Sequence, residues 1–226
     1  MPEINKRKNK AMLNEMAYPA SFDQKYFETL TSFRARVMYC RERLPFIGAG
    51  SARAVYKIDD EKVLKLAKNK KGIGQNEVEG QSYWDIYGIF AKLIDTHPEY
   101  HWVEMELARK AKLSDFNKII GKPNAFEEWL KPYMDLVRSR YDGTRGIYAQ
   151  VSEEKKQELE EFENTPEFED NLLWRLQFYM CDTQITTLGD LKRLSSWGVV
   201  IRDGKEELVL VDYGYNEYVR DTYYVN

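Results

Sequence analysis

The stretch "LPFIGAGSARAVYKIDDEKVLKLAKN", residues 44–69, decides the fold. It holds three runs of strand-forming residues, "RLPFIGAG", "ARAVYKID" and "EKVLKLAK". A turn with Gly48 and Gly50 separates the first two, and Asp59-Asp60 joins the last two. Three antiparallel strands in succession make a meander. The third carries Lys65 between Leu64 and Leu66, a charge at the centre of an apolar strand that needs a partner elsewhere in the chain.

Upstream, Phe22, Tyr26, Phe27, Leu30, Phe33, Val37 and Met38 recur at helical spacing. They predict one amphipathic helix from Ser21, its N-cap, to Leu44, which must pack on the rest of the chain or on a second one. Downstream, "NKKGIG" (69–74) predicts a loop and "QNEVEGQSYWDIYG" a helix ending at Gly88, with Val78, Trp84 and Ile86 on its buried side. "FAKLID" and "YHWVEMELA" complete five strands by about Ala108. Strand signals then stop until about residue 186. "SDFNKIIG", "PNAFEEWLKPYMDLVRSRY", "SEEKKQELEEFEN" and "TPEFEDNLLWRLQFYMCDTQI" each predict a helix, the last two opened by Ser152 and by Thr165-Pro166. A closing hairpin, "VVIRDG" and "EELVLVDYG", turns at Asp203-Gly204.

Composition narrows the function. The chain has 226 residues, 43% of them hydrophobic, enough for a sizeable core. Its 37 acidic and 34 basic side chains nearly cancel, so no global field favours nucleic acid or an anionic membrane. The basic cluster Lys6, Arg7, Lys8 and Lys10 reads as a solvated terminus. No run approaches the ~18 apolar residues of a membrane span and no secretion signal opens the chain, so a cytoplasmic protein is expected. Cys40 and Cys181 are expected to be free thiols. His97 and His101 are not expected to hold a metal, because Pro98 interrupts the helix their spacing would need.

This order of elements resembles the compact protein-kinase-like fold of the aminoglycoside-phosphotransferase and small phage or bacterial kinase-like families, over residues 44 to 214. The resemblance implies an α+β, bilobal architecture: a tail and amphipathic helix (1–43), a five-stranded antiparallel N-lobe with one helix (44–108), and a reduced helical C-lobe (109–226). "IGAGSARAVY" is similar to the glycine loop that covers ATP phosphates, with Gly48, Gly50, Ser51 and Val55 at the nucleotide and Arg53 in place of the third glycine. "VLKLA" matches the strand of the phosphate-pairing lysine, which makes Lys65 that residue. Its acid is Glu79, fourteen residues on, or Glu77. "DYG" resembles D-F-G, which makes Asp212 a Mg²⁺ ligand. In "GDLKRLSSWG", Asp190 takes the place of the base that orients an acceptor hydroxyl. Ser195 stands where a second metal ligand, an asparagine, is expected, and Ser196 follows it. Backbone groups from Glu104 to Leu107 would meet adenine.

The cofactors so implied are ATP and Mg²⁺. The acceptor is left open between a small molecule and a protein, because only twelve residues follow Gly214 and no A-P-E element supports a docked peptide. Ser195 and Arg53 keep open a second reading, a pseudokinase acting through a protein partner, with the N-terminal helix as a surface for it. Transfer of a nucleotidyl group would use the same residues.

Overall fold

The computed structural model describes residues 18–81, 87–141, 151–169, 171–183 and 188–225. Trp84, Ile86 and the basic cluster from Lys6 to Lys10 lie outside them.

The predicted helix from Ser21 to Leu44 is two helices, α1 (Gln24–Thr29) and α2 (Phe33–Arg43). Asp23 caps the first, accepting the Tyr26 amide, and Ser32 caps the second, accepting the Ala35 amide at 3.1 Å. A hydroxyl that satisfies a backbone donor favours a helix start over continuation, and Leu30 before it is extended.

Five strands follow as one antiparallel sheet: β1 (Phe46–Ala49), β2 (Arg53–Lys57), β3 (Lys62–Ala67), β4 (Leu93–Thr96) and β5 (Trp102–Glu106), in the spatial order β1-β2-β3-β5-β4. Val55 opposes Lys65, which opposes Val103, while Ala54 opposes Leu66 and Leu64 opposes Glu104. Period-two alternation therefore puts Arg53, Val55, Lys65, Val103 and Met105 on one face. Tyr56, Leu64, Leu66 and Trp102 take the other, where Phe22, Phe27, Tyr39 and Cys40 cover them. The Phe27 and Trp102 rings lie 4.7 Å apart. The apolar side of the N-terminal helices is thus spent on the chain's own sheet.

The expected loop 69–74 is instead the start of α3 (Lys70–Gln81). Asn69 accepts the Gly72 amide, and glycine is needed where the helix touches its neighbours: a Cβ at Gly72 would stand 2.4 Å from the Ala52 carbonyl oxygen. Close packing has overridden the weak helix propensity of glycine.

The second half is helical: α4 (Leu113–Ile120), α5 (Lys131–Tyr141), α6 (Glu153–Glu163, capped by Ser152) and α7 (Leu172–Thr183). Two predicted single helices are divided. The first runs as a π-helical segment (Ala125–Leu130) into α5, where Pro132 has no amide to donate to the preceding turn. The second begins as a short 3₁₀ turn (Pro166–Phe168), and Asn171, accepting the Leu173 amide at 3.1 Å, restarts it as α7. Phe116, Trp129, Tyr133, Leu173 and Trp197 belong to one buried cluster there.

A second sheet closes the chain, in the order β6 (Arg109–Lys110), β7 (Trp197–Arg202) and β8 (Lys205–Leu210). Asp203 and Gly204 both have positive φ, 51° and 77°, as a two-residue hairpin turn requires. Strand β6 was not predicted, since two charged residues carry no strand pattern. The last helix, α8 (Glu217–Tyr223), packs against α3. Among the described residues no helix is long and apolar enough to cross a membrane.

Candidate active site

Lys65 is 5% exposed and Glu79 is fully buried. The Lys65 ammonium donates to both Glu79 oxygens, at 3.0 and 2.8 Å, and to the Val211 carbonyl. This answers the choice between two acids. Gly72, Asn76 and Glu79 recur at helical spacing on the buried side of α3, whereas Glu77 turns outward and accepts from Gln81 at 3.4 Å. Asn76, three residues before Glu79, shares that side and is legible from the same spacing: its amide donates to the Tyr100 carbonyl at 3.0 Å and its oxygen accepts from Arg53 at 3.3 Å.

Arg53 occupies the centre of this group. Its guanidinium meets the Glu79 carboxylate at 2.7 and 2.9 Å and Asp212 Oδ1 at 2.5 Å. The Tyr213 and Gly214 amides donate to the same Glu79 carboxylate, at 3.3 and 3.2 Å. Burial alone would raise the Glu79 carboxyl, but Arg53 and Lys65 outweigh it and hold it down at about 2. Burial lowers the Lys65 ammonium, and Glu79 offsets this only in part because Arg53 is beside it.

Val211 and Asp212 follow directly on β8, and Tyr213 folds away from the cleft onto Phe90, ring centroids 4.2 Å apart. The glycine of "DYG" is needed for close packing rather than for a left-handed turn. Its φ is not positive, and a Cβ there would come within 2.5 Å of the Gln75 carbonyl oxygen. Gly214→Ala is therefore expected to lose roughly 1–3 kcal/mol by forcing α3 outward, read as a lowered urea midpoint at unchanged slope.

Around this pair lies a cleft of about 760 Å³, lined by both halves of the chain. Gly48, Gly50, Ser51 and Val55 line its roof; Lys65 and Asp212 its inner wall; Asp190 and Ser195 its floor. Burial and the neighbouring Asp212 push the Asp190 carboxyl above the usual aspartate range, against Arg193, which pairs with it at 3.0 Å, and Arg53. At the outer wall, Met105, Glu106 and Leu107 line the cleft, but Glu104 does not. Its side chain accepts from the Tyr18 hydroxyl at 2.5 Å on the opposite face, as the alternation dictates. The Leu107 amide is also committed, donating to the Glu61 carbonyl at 2.6 Å. Tyr215 and Tyr224, from beyond "DYG", reach the cleft as well; nothing in the resemblance pointed to them.

The residues expected to hold magnesium do not make a good site for it. One Asp212 oxygen is already paired with a guanidinium, and Ser195 offers an exposed hydroxyl where a carboxamide or carboxylate oxygen is needed. Elsewhere, the turn between β4 and β5 brings ligand atoms of His97, Glu99 and His101 within 4.8 Å of one another, despite Pro98. The buried Arg36 beside both histidines opposes a cation there.

No family model and no curated protein matches this chain. Among solved structures it is similar to wild-type aminoglycoside 2'-phosphotransferase-IIIa in its GDP complex, at 13% identity over 82% of this chain and 73% of that one, TM-score 0.36. It is also similar to APH(2")-IIa in a ternary complex with streptomycin and ATP, at 11% identity over 85% and 72%, TM-score 0.32. A third is SAICAR-synthase from Saccharomyces cerevisiae complexed with SAICAR, at 13% over 75% and 72%, TM-score 0.31.

Proposed function

We propose that this chain is a kinase-like phosphotransferase that binds ATP in the cleft between a sheet lobe (44–108) and a helical lobe (109–226). The observation that carries the reading is the buried Lys65–Glu79 pair set beside Asp212 at the cleft wall. A buried ion pair is a costly way to stabilise a fold, and one that aims an ammonium into a cleft is suited to an anionic ligand. The roof agrees with this. A Cβ at Gly48 or Gly50 would meet nothing within 4 Å, so the protein itself has no need of glycine there. Close approach of backbone to a phosphate supplies the reason.

In this reading the acceptor hydroxyl sits at Asp190. Its oxygen forms a bond to the γ-phosphorus while the bond to the β,γ-bridging oxygen breaks; the hydroxyl proton passes to Asp190 and ADP leaves. The free cysteines fit a reducing compartment such as the cytoplasm. A second reading, nucleotide binding without transfer, is favoured by one contact, Arg53 on Asp212.

Calorimetric titration with ATP, paired with a measurement of ADP release in the presence of candidate hydroxylated acceptors, tests both. ATP binding that weakens about tenfold or more in Lys65→Ala is the expected result. Binding with no turnover for any acceptor would favour the second reading, and no binding by the native chain would overturn both.

A further inference from the structure

Arg53 is the residue for which neither a turn nor a glycine loop accounts. It stands at the first position of β2, 6% exposed, with its guanidinium inside the site rather than over its mouth. It is fixed from three sides: Glu79 and Asn76 on α3, and Asp212 just after β8. Both of its terminal nitrogens are thereby occupied, so it contributes charge more than a free donor.

The local charge follows directly. Two cations, Arg53 and Lys65, face two carboxylates, Glu79 and Asp212, and the four balance with no ion added; Asp190 on the floor has its own partner in Arg193, at 3.0 Å. With glycine at position 53, one carboxylate would be left in excess, and Asp212 would be free to take a divalent ion. As it stands, an ion must displace a charge-assisted hydrogen bond of 2.5 Å to use the same oxygen. We propose that Arg53 is the built-in counter-cation of this cleft, and that the chain holds a nucleoside triphosphate without a divalent metal. This rests on the nucleotide reading above and narrows it: the phosphates are met by the charge of Lys65 and by the glycine loop, while Arg53 keeps Asp212 from repelling them.

The test is calorimetric titration of the native chain with ATP in excess EDTA and in saturating Mg²⁺, repeated on Arg53→Gly. The native chain is expected to bind with affinities within about threefold of each other in the two conditions. Arg53→Gly is expected to bind about tenfold or more tighter with Mg²⁺ than without. Mn²⁺ added alone and followed by its electron paramagnetic resonance spectrum reports the same exchange without nucleotide: free ion with the native chain, bound ion with Arg53→Gly. Should Arg53→Gly fail to fold, the native comparison and the milder Arg53→Met decide. A native chain that needs Mg²⁺ overturns the proposal and leaves the nucleotide reading standing, as does a variant as indifferent to metal as the native chain. Absence of ATP binding in either condition overturns the nucleotide reading, and this proposal with it.

Discussion

Glu79→Gln is expected to destabilise the fold by about 3–5 kcal/mol, the largest loss of any single substitution in the site. The carboxylate receives Lys65, Arg53 and two backbone amides while wholly out of water. A glutamine of the same shape offers one acceptor oxygen, and its amide hydrogens point at two buried cations. Arg53 keeps Asp212, so the lost energy is that of one buried cation left uncompensated more than that of one broken contact. The dependence on pH has a definite sign. Because the folded carboxyl is held below its usual range, at about 2, its contribution is fully present above the ordinary glutamate range. It is lost progressively as pH falls from about 4.5 toward about 2. Urea midpoints measured across that range should therefore converge, native and Glu79→Gln, toward acid. A variant that matches the native midpoint at neutral pH would show that the buried pair contributes little to the stability of the fold.

Much of that site could be read before any coordinates, because the resemblance attaches to residues whose neighbours fix them. Lys65 lies in a strand where alternation leaves one inner face, and Asp212 stands one residue beyond the end of the hairpin strand β8. Glu79 follows from helical spacing once α3 is known to begin at Lys70. What escaped was of another kind. Leu30 ends α1 because Ser32 competes for an amide, and Gly72 sits in a helix because Ala52 leaves room for nothing larger. Both are set by single contacts that leave no period in the sequence. Arg53 was legible as a departure from the glycine pattern, but whether its side chain pointed out to solvent or in to Asp212 depended on the burial of the first residue of β2. The reading of Glu104 to Leu107 concerns backbone groups, and the two-residue period of β5 adds only that the Glu104 side chain lies on the far face.

The same alternation leaves the acceptor side of the cleft to the helical half, where Asp190 is expected to dominate turnover. Asp190→Asn should lower phosphotransfer by roughly 10²–10⁴-fold while ATP affinity stays within about threefold, since the residue lies on the floor rather than against Lys65. Asparagine preserves shape and hydrogen bonding to the acceptor, so the loss isolates the proton acceptance. Burial and Asp212 raise the Asp190 carboxyl, so with Asp190 as the proposed base the rate is expected to fall at higher pH than for an exposed aspartate. Arg193 opposes that rise from 3.0 Å away on an exposed side chain. Arg193→Ala should therefore move the acid limb of kcat/KM further up in pH and leave the plateau little changed. A positioning role alone would lower the plateau without shifting the limb. If Asp190→Asn transfers phosphate at the native rate, Asp190 is not the base and the acceptor approaches from another wall of the cleft.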